Sequence, residues 1–383
     1  MNKITRKSFL KVLAATMVGG AAASALTGAA APVSIDETNG KVSRWVKNNL
    51  NPDGPLTIAK QGMFSSGGTV TAPVAGTYDA TTNWLDTTRA GNTAHVDHAN
   101  VLYQIPADSN GWPMVYLHGY GQSRMGWMTT PDGRQGWADL FLRNGYSAFL
   151  VDQPRRGEAG STAQMSTDGF LDTWSADSKD YKPGDQAWYT HFRIGRVAPE
   201  RYEGSQFPEG DAAQNQFFRQ MTPNTGDFDQ AVAAAALGEV MKDVQTLTGH
   251  KSIFVTHSQG GAVGWNVPAD NIAAIVAIEP GGTPAIGSEQ YTKLLSAGIP
   301  IALYFGDYID NGPEDIMSTS FWRQVRDGAL AFAAQYNADG GDCTVVDLPK
   351  IGITGNSHFM FQELNNKEIA DHIYQWLESR ALA

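Results

Sequence analysis

Six short apolar runs recur between residues 114 and 348, at 114–117, 147–151, 252–256, 272–278, 299–305 and 344–348, each almost free of charge. A strand with one face in water alternates apolar and polar residues, whereas a run that is apolar throughout needs cover on both faces. Stretches of helical character fill the gaps, at 137–144, 228–247, 321–336 and 367–380. The last puts Ile369, Ile373, Trp376 and Leu377 on one face, and Gly249 supplies the left-handed cap that ends the second. This alternation predicts an α/β fold, a mainly parallel sheet with helices on both faces.

Two regions depart from the rhythm. Residues 63–106 carry short alternating runs broken by Gly, Thr and Asn, which read as strands with long connections. Residues 154–226 are rich in Gly, Asp, Gln, Tyr and Trp with no clear strand. Seventy structureless residues are unusual in a compact domain, so this segment reads as an insertion capping the sheet. A chain of 383 residues, 42% hydrophobic, buries a large core without disulfides, and the single cysteine, Cys343, reads as the start of a strand.

The first residues read as an address. Lys3, Arg6, Lys7 and Lys11 precede an uncharged Ala- and Gly-rich run to about residue 31, the pattern of a signal peptide. Thr5-Arg6-Lys7-Ser8-Phe9-Leu10-Lys11 resembles the twin-arginine export motif with Lys7 in place of the second arginine. Residues 1–31 are therefore expected to be removed on export to the periplasm or medium, leaving 32–383 as one domain that carries the insertion. The net charge of −11 includes those four cations, so the remainder is more acidic still. Such a surface repels phosphate backbones and anionic bilayers, which argues against nucleic-acid and stable membrane partners.

The chemistry concentrates in three places. Thr256-His257-Ser258-Gln259-Gly260-Gly261 follows a buried run and resembles the nucleophile elbow of the α/β-hydrolases, with Thr256 where that motif has its first glycine. Leu117-His118-Gly119-Tyr120-Gly121 ends an earlier run and resembles the same family's oxyanion segment, which nominates the amides of Tyr120 and Gln259 as oxyanion donors. Gly355-Asn356-Ser357-His358, between the last strand and the last helix, places a histidine where a hydrolase keeps its base. Two carboxylates compete to orient that imidazole, Glu279 and Asp307, each ending an apolar run.

Several stretches are similar to a small group of bacterial esterases of this fold: Thr129-Thr130-Pro131-Asp132-Gly133-Arg134, Val276-Ala277-Ile278-Glu279-Pro280-Gly281 and Gly355-Asn356-Ser357-His358. The resemblance spans about 110–160 and 250–380. It implies a Ser258, Glu279 and His358 triad, because that group's acid is a glutamate after the sixth strand. The group has paired cysteines where this chain has Tyr120 and Gly121. The implied activity is hydrolysis of small-molecule carboxylic esters through an acyl-enzyme. A peptidase, amidase or thioesterase would use the same triad, and a binding protein on an inactive hydrolase scaffold would not need it intact. No Walker loop or dinucleotide fingerprint appears, and His95-Val96-Asp97-His98 lacks a third ligand, so neither a cofactor nor a metal is expected.

Overall fold

The computed structural model describes residues 54–72, 74–82, 89–159, 165–166, 169–170, 185–222 and 228–383. The leader at 1–31 and its export motif lie outside these residues, as does part of the insertion. Eight strands form one sheet: β1 (Ile58–Ser66), β2 (Ala99–Pro106), β3 (Pro113–Leu117), β4 (Ser147–Asp152), β5 (Ser252–His257), β6 (Ile272–Ile278), β7 (Ile301–Phe305) and β8 (Cys343–Asp347). Their order is β1-β2-β4-β3-β5-β6-β7-β8. The β1 and β2 strands join antiparallel, and every neighbouring pair from β4 to β8 is parallel.

The six apolar runs are the six parallel strands. Five of them, β3 to β7, are buried along nearly their whole length, as an all-apolar run requires. The run 299–305 pairs only from Ile301, because Pro300 has no amide to donate. The β8 strand ends at Asp347, where Leu348–Ile351 turns into a short 3-10 helix with Pro349 in its first turn. Cys343 opens β8, and burial pushes its thiol up, which keeps it an inert core residue.

Among the described residues the helices of six residues or more are α1 (Trp137–Leu142), α2 (Asp185–His191), α3 (Asp211–Arg219), α4 (Gln230–Thr248), α5 (Gln259–Gly264), α6 (Glu289–Ser296), α7 (Met317–Ala338) and α8 (Asn366–Glu378). Asp229 caps α4 by accepting from the amides of Ala231 (3.0 Å) and Val232 (3.1 Å), and Gly249 ends it in the left-handed conformation. Ile369, Ile373, Trp376 and Leu377 of α8 are all buried. Each such side chain taken from water contributes about 1.5–3 kcal/mol. Among the described residues of 154–226, α2 and α3 are the main elements, and Met165–Ser166 pairs antiparallel with Gly169–Phe170.

Register decides where the chemistry emerges. Ile278 of β6 lies opposite His257 of β5 on one side and Tyr304 of β7 on the other. The next residues along, Ser258 and Glu279, therefore leave the sheet level with each other at its carboxyl edge. Sites of open parallel sheets gather at this edge.

Candidate active site

Ser258 sits at the turn from β5 into α5 with φ 53° and ψ −117°, a conformation that side chains disfavour by about 1–3 kcal/mol. Four backbone bonds hold it there: its amide donates to Ile278 O (3.0 Å), and its carbonyl accepts from Gly261 and Gly281 (2.9 Å each) and from Ala262 (3.4 Å). The Thr256 departure from the elbow motif is absorbed by the helix. A Cβ added at Gly264 would lie 3.2 Å from the Thr256 methyl, so the space usually left by a glycine on the strand is left by one on α5.

His358 comes from the loop after β8 and is almost wholly buried. Its Nδ1 lies 2.6 Å from Glu279 Oε2. An ionised carboxylate only accepts, so Nδ1 carries the proton and Nε2 keeps its lone pair. That Nε2 is buried and has no hydrogen-bond partner. Glu279 is fully buried and itself has positive φ, 41°. Its other oxygen accepts from Gly306 N (2.8 Å) and from the Arg193 guanidinium.

These contacts set the protonation states. Burial alone raises the Glu279 pKa, but the Arg193 charge, the His358 hydrogen bond and the Gly306 amide outweigh it, and the carboxyl ends below its ordinary value. Burial pushes His358 down, Glu279 pulls it up and Arg193 pushes it down again, leaving it below its ordinary value. The imidazole is therefore neutral, and the carboxylate charged, near pH 7.

Asp307, the other candidate acid, is engaged elsewhere. It accepts from Gly355 N (2.8 Å) and Tyr308 N (2.7 Å), and its own amide donates to Asn356 O (2.7 Å). It ties down the loop that carries His358 without touching the ring. Glu363, fully buried, does the same from the other side, accepting from Ser357 N (2.9 Å) and Asn356 Nδ2 (2.8 Å).

The two nominated oxyanion donors lie next to Ser258. Gln259 is the first residue of α5, where an amide has no acceptor inside the helix. Tyr120 follows Gly119, at which an added Cβ would stand 2.9 Å from Ser258 Cβ and 2.8 Å from His257 Nδ1. At Gly121, φ is 63° and an added Cβ would stand 2.5 Å from the Trp188 ring. The position that differs from the paired cysteines is thus the one against which the insertion packs. His118 bonds to Gly119 O (2.8 Å) and receives Gln153 N (3.3 Å), holding this loop, and burial lowers its pKa to about 4.

Sequence reasoning missed the residues of the insertion. The Tyr120 ring stacks with Trp188 (6.0 Å), Trp188 packs on Phe192 (4.7 Å), and Phe192 stacks on His358 (4.8 Å), an aromatic chain from the oxyanion loop to the imidazole. Phe192 O also accepts from His358 N (3.1 Å). Arg193, buried and with φ 65°, donates through Nε to Asp307 O (2.9 Å) as well as holding Glu279. Arg156, buried, donates to Gln259 Oε1 (3.0 Å). One signal could have found Arg156: it stands just past the carboxyl end of β4, where sites of parallel sheets gather.

No family model matches the chain. A solved structure of a bacterial esterase is similar at 31% identity and a TM-score of 0.69, covering 86% of this chain and 98% of that one. A fungal protein named "Probable secreted lipase phiG" is 26% identical over 316 residues, 70% of this chain and 82% of that protein.

Proposed function

This chain belongs to the α/β-hydrolase esterases, and from that membership we propose that it is an exported serine esterase working through an acyl-enzyme. Ester hydrolysis is the activity that its relatives' names carry. The observation that carries the mechanism is the 2.6 Å contact of Glu279 with His358 Nδ1, together with a strained Ser258 at the end of the adjoining strand and a buried Nε2 that no group yet engages.

In this reading the Ser258 hydroxyl attacks the ester carbonyl while His358 Nε2 takes its proton. Glu279 stabilises the imidazolium that results, and Arg193 keeps Glu279 ionised. The amides of Tyr120 and Gln259 receive the oxyanion, each contributing roughly 3–4 kcal/mol to the transition state. His358 then protonates the leaving alcohol, and water releases the acyl group by the reverse exchange. Trp188 and Phe192 keep water away from the imidazole. Their aromatic surface favours an apolar body in the acyl or aryl group of the ester.

Chromogenic esters of increasing acyl length, run beside Ser258→Ala and a fluorophosphonate label, test this reading. The variant should fold, fail to label and lose activity by roughly 10⁴-fold or more. A loss below tenfold would remove Ser258 as nucleophile.

Residues 1–31 form the export signal in this reading. The secreted relative supports it, and among the described residues no helix is long and apolar enough to cross a membrane. Replacing Arg6 and Lys7 together with Gln should leave unprocessed precursor in the cytoplasm. Normal amounts of mature protein outside the cytoplasm would exclude a twin-arginine route.

A further inference from the structure

The described residues include four buried arginines, Arg124, Arg156, Arg193 and Arg326. Three hold carboxylates: Arg124 pairs with Asp152 and Glu158, Arg193 with Glu279, and Arg326 with Asp310, Asp327 and Asp347. Arg156 is 2% exposed and, among the described residues, pairs with none. Its NH2 donates to a neutral amide, Gln259 Oε1 (3.0 Å), its Cζ stands 5.3 Å from the Tyr120 ring centroid, and its NH1 is buried without a partner. Buried cations are otherwise matched by an anion, because burial strips them of water.

The place of this unmatched charge matters. Gln259 directly follows Ser258, and Tyr120 sits on the loop that presses against Ser258 Cβ. Trp188, which stacks with Tyr120 at 6.0 Å, also buries an indole N–H with no acceptor. Two donors are thus left without an acceptor around one ring, close to the nucleophile. An occupant that satisfies them brings acceptors, and the guanidinium makes a negative one preferable to a neutral one.

We infer that Arg156 recognises a carboxylate on the substrate, so that the preferred esters are anionic, such as half-esters of dicarboxylic acids or esters of a hydroxy acid. This rests on the serine-esterase reading and names its substrate class. Burial lowers the Arg156 pKa to about 10, which leaves the side chain protonated at neutral pH. Its NH2 stays with Gln259, so NH1 is the group that meets the carboxylate, and Gln259 fixes the direction in which it points. Because Arg156 is anchored on the residue that follows Ser258, a carboxylate held by it would help to position the scissile carbonyl, which turns charge recognition into a gain in kcat/KM.

Two matched pairs of substrates test the inference, one with the charge on the acyl side and one with it on the alcohol side. They are mono-p-nitrophenyl glutarate against p-nitrophenyl pentanoate, and 4-butyryloxybenzoate against its methyl ester. In at least one pair the wild-type enzyme should favour the charged member in kcat/KM by tenfold or more. Arg156→Met should lower that charged-to-neutral ratio by roughly thirtyfold or more, and Arg156→Lys should restore part of it. The wild-type preference needs no variant, so it stands even if Arg156→Met folds poorly. Absence of a preference in both pairs, or an equal fall for both members in Arg156→Met, would overturn the inference while neutral-ester turnover kept the esterase reading intact. No turnover of any ester together with no labelling of Ser258 would overturn both.

Discussion

The elbow that carries Ser258 and the insertion that carries Phe192 and Arg193 converge on one imidazole, and they are held by different kinds of contact. At the elbow, strand, turn and helix are contiguous from Ser252 to Gly264, and the bonds that fix Ser258 run to its own helix and to the end of the adjacent strand. In the insertion, Arg193 reaches Glu279, 86 residues away, and Asp307, 114 residues away. In the proposed triad, short-range geometry aims Ser258, while long-range charge sets the protonation of Glu279 and His358. Changes to the first should abolish turnover, and changes to the second should retune it.

The largest effect that separates the two carboxylates near His358 should come from Glu279→Gln. The substituted amide keeps the shape of the side chain but no longer enforces the tautomer that leaves Nε2 free, so turnover should fall by up to about 10⁴-fold. Asp307→Asn should cost about tenfold or less, because Asp307 bonds to the Gly355 and Tyr308 amides and an amide oxygen can still accept from one. Steady-state kinetics on both variants decide the matter. If Asp307→Asn is the crippled enzyme, the orienting acid must be reassigned.

Arg193→Gln should have an intermediate effect, roughly 10- to 100-fold in kcat, with a signature that loosened packing alone would not give. Arg193 helps to hold both Glu279 and His358 below their ordinary pKa values. The wild-type rate should fall on acidification with a midpoint below 6.5, the ordinary imidazole value, because the neutral base is lost there. Without the guanidinium the acid limb should move to higher pH, and Arg193→Lys should leave it nearly in place. An unshifted limb in Arg193→Gln would show that the insertion packs against the site without tuning it.

The same contrast explains what could be read from the sequence. Strands buried on both faces must be apolar throughout, and an elbow needs a serine with small residues within a few positions, so β3 to β8 and Ser258 leave local signatures. His358 was legible from its place between the last strand and the last helix. Glu279 was not separable from Asp307 by residue type, since each ends a buried run. Resemblance favoured Glu279, and its side chain is the one that reaches the imidazole. Arg193 left no signature, because its role depends on a fold of the insertion that brings it across the sheet edge, and neither periodicity nor spacing encodes that. Trp188 was equally hidden, although the absence of a side chain at Gly121 is its imprint on the oxyanion loop.

The smallest effect on turnover is expected at Glu363, which supports the base from within six residues and so belongs with the short-range contacts. Burial raises its pKa to about 7, while the hydrogen bonds from Ser357 and Asn356 only partly oppose the rise. The folded pKa therefore stands above the unfolded reference of 4.5, and the sign of the linkage follows. Stability from this group is fully present below about 4.5 and is lost as pH rises through about 7, a change of roughly 1–3 kcal/mol. Glu363→Gln cannot ionise, so the difference in unfolding free energy between variant and wild type should grow in the variant's favour across that window. Denaturant unfolding at pH 4.5, 6 and 8 measures it, with kcat expected to change less than about threefold. Parallel stability profiles would mean that the loop accommodates the buried charge without cost. A large fall in kcat would place Glu363 with Arg193, among the groups that tune His358 rather than merely hold its loop.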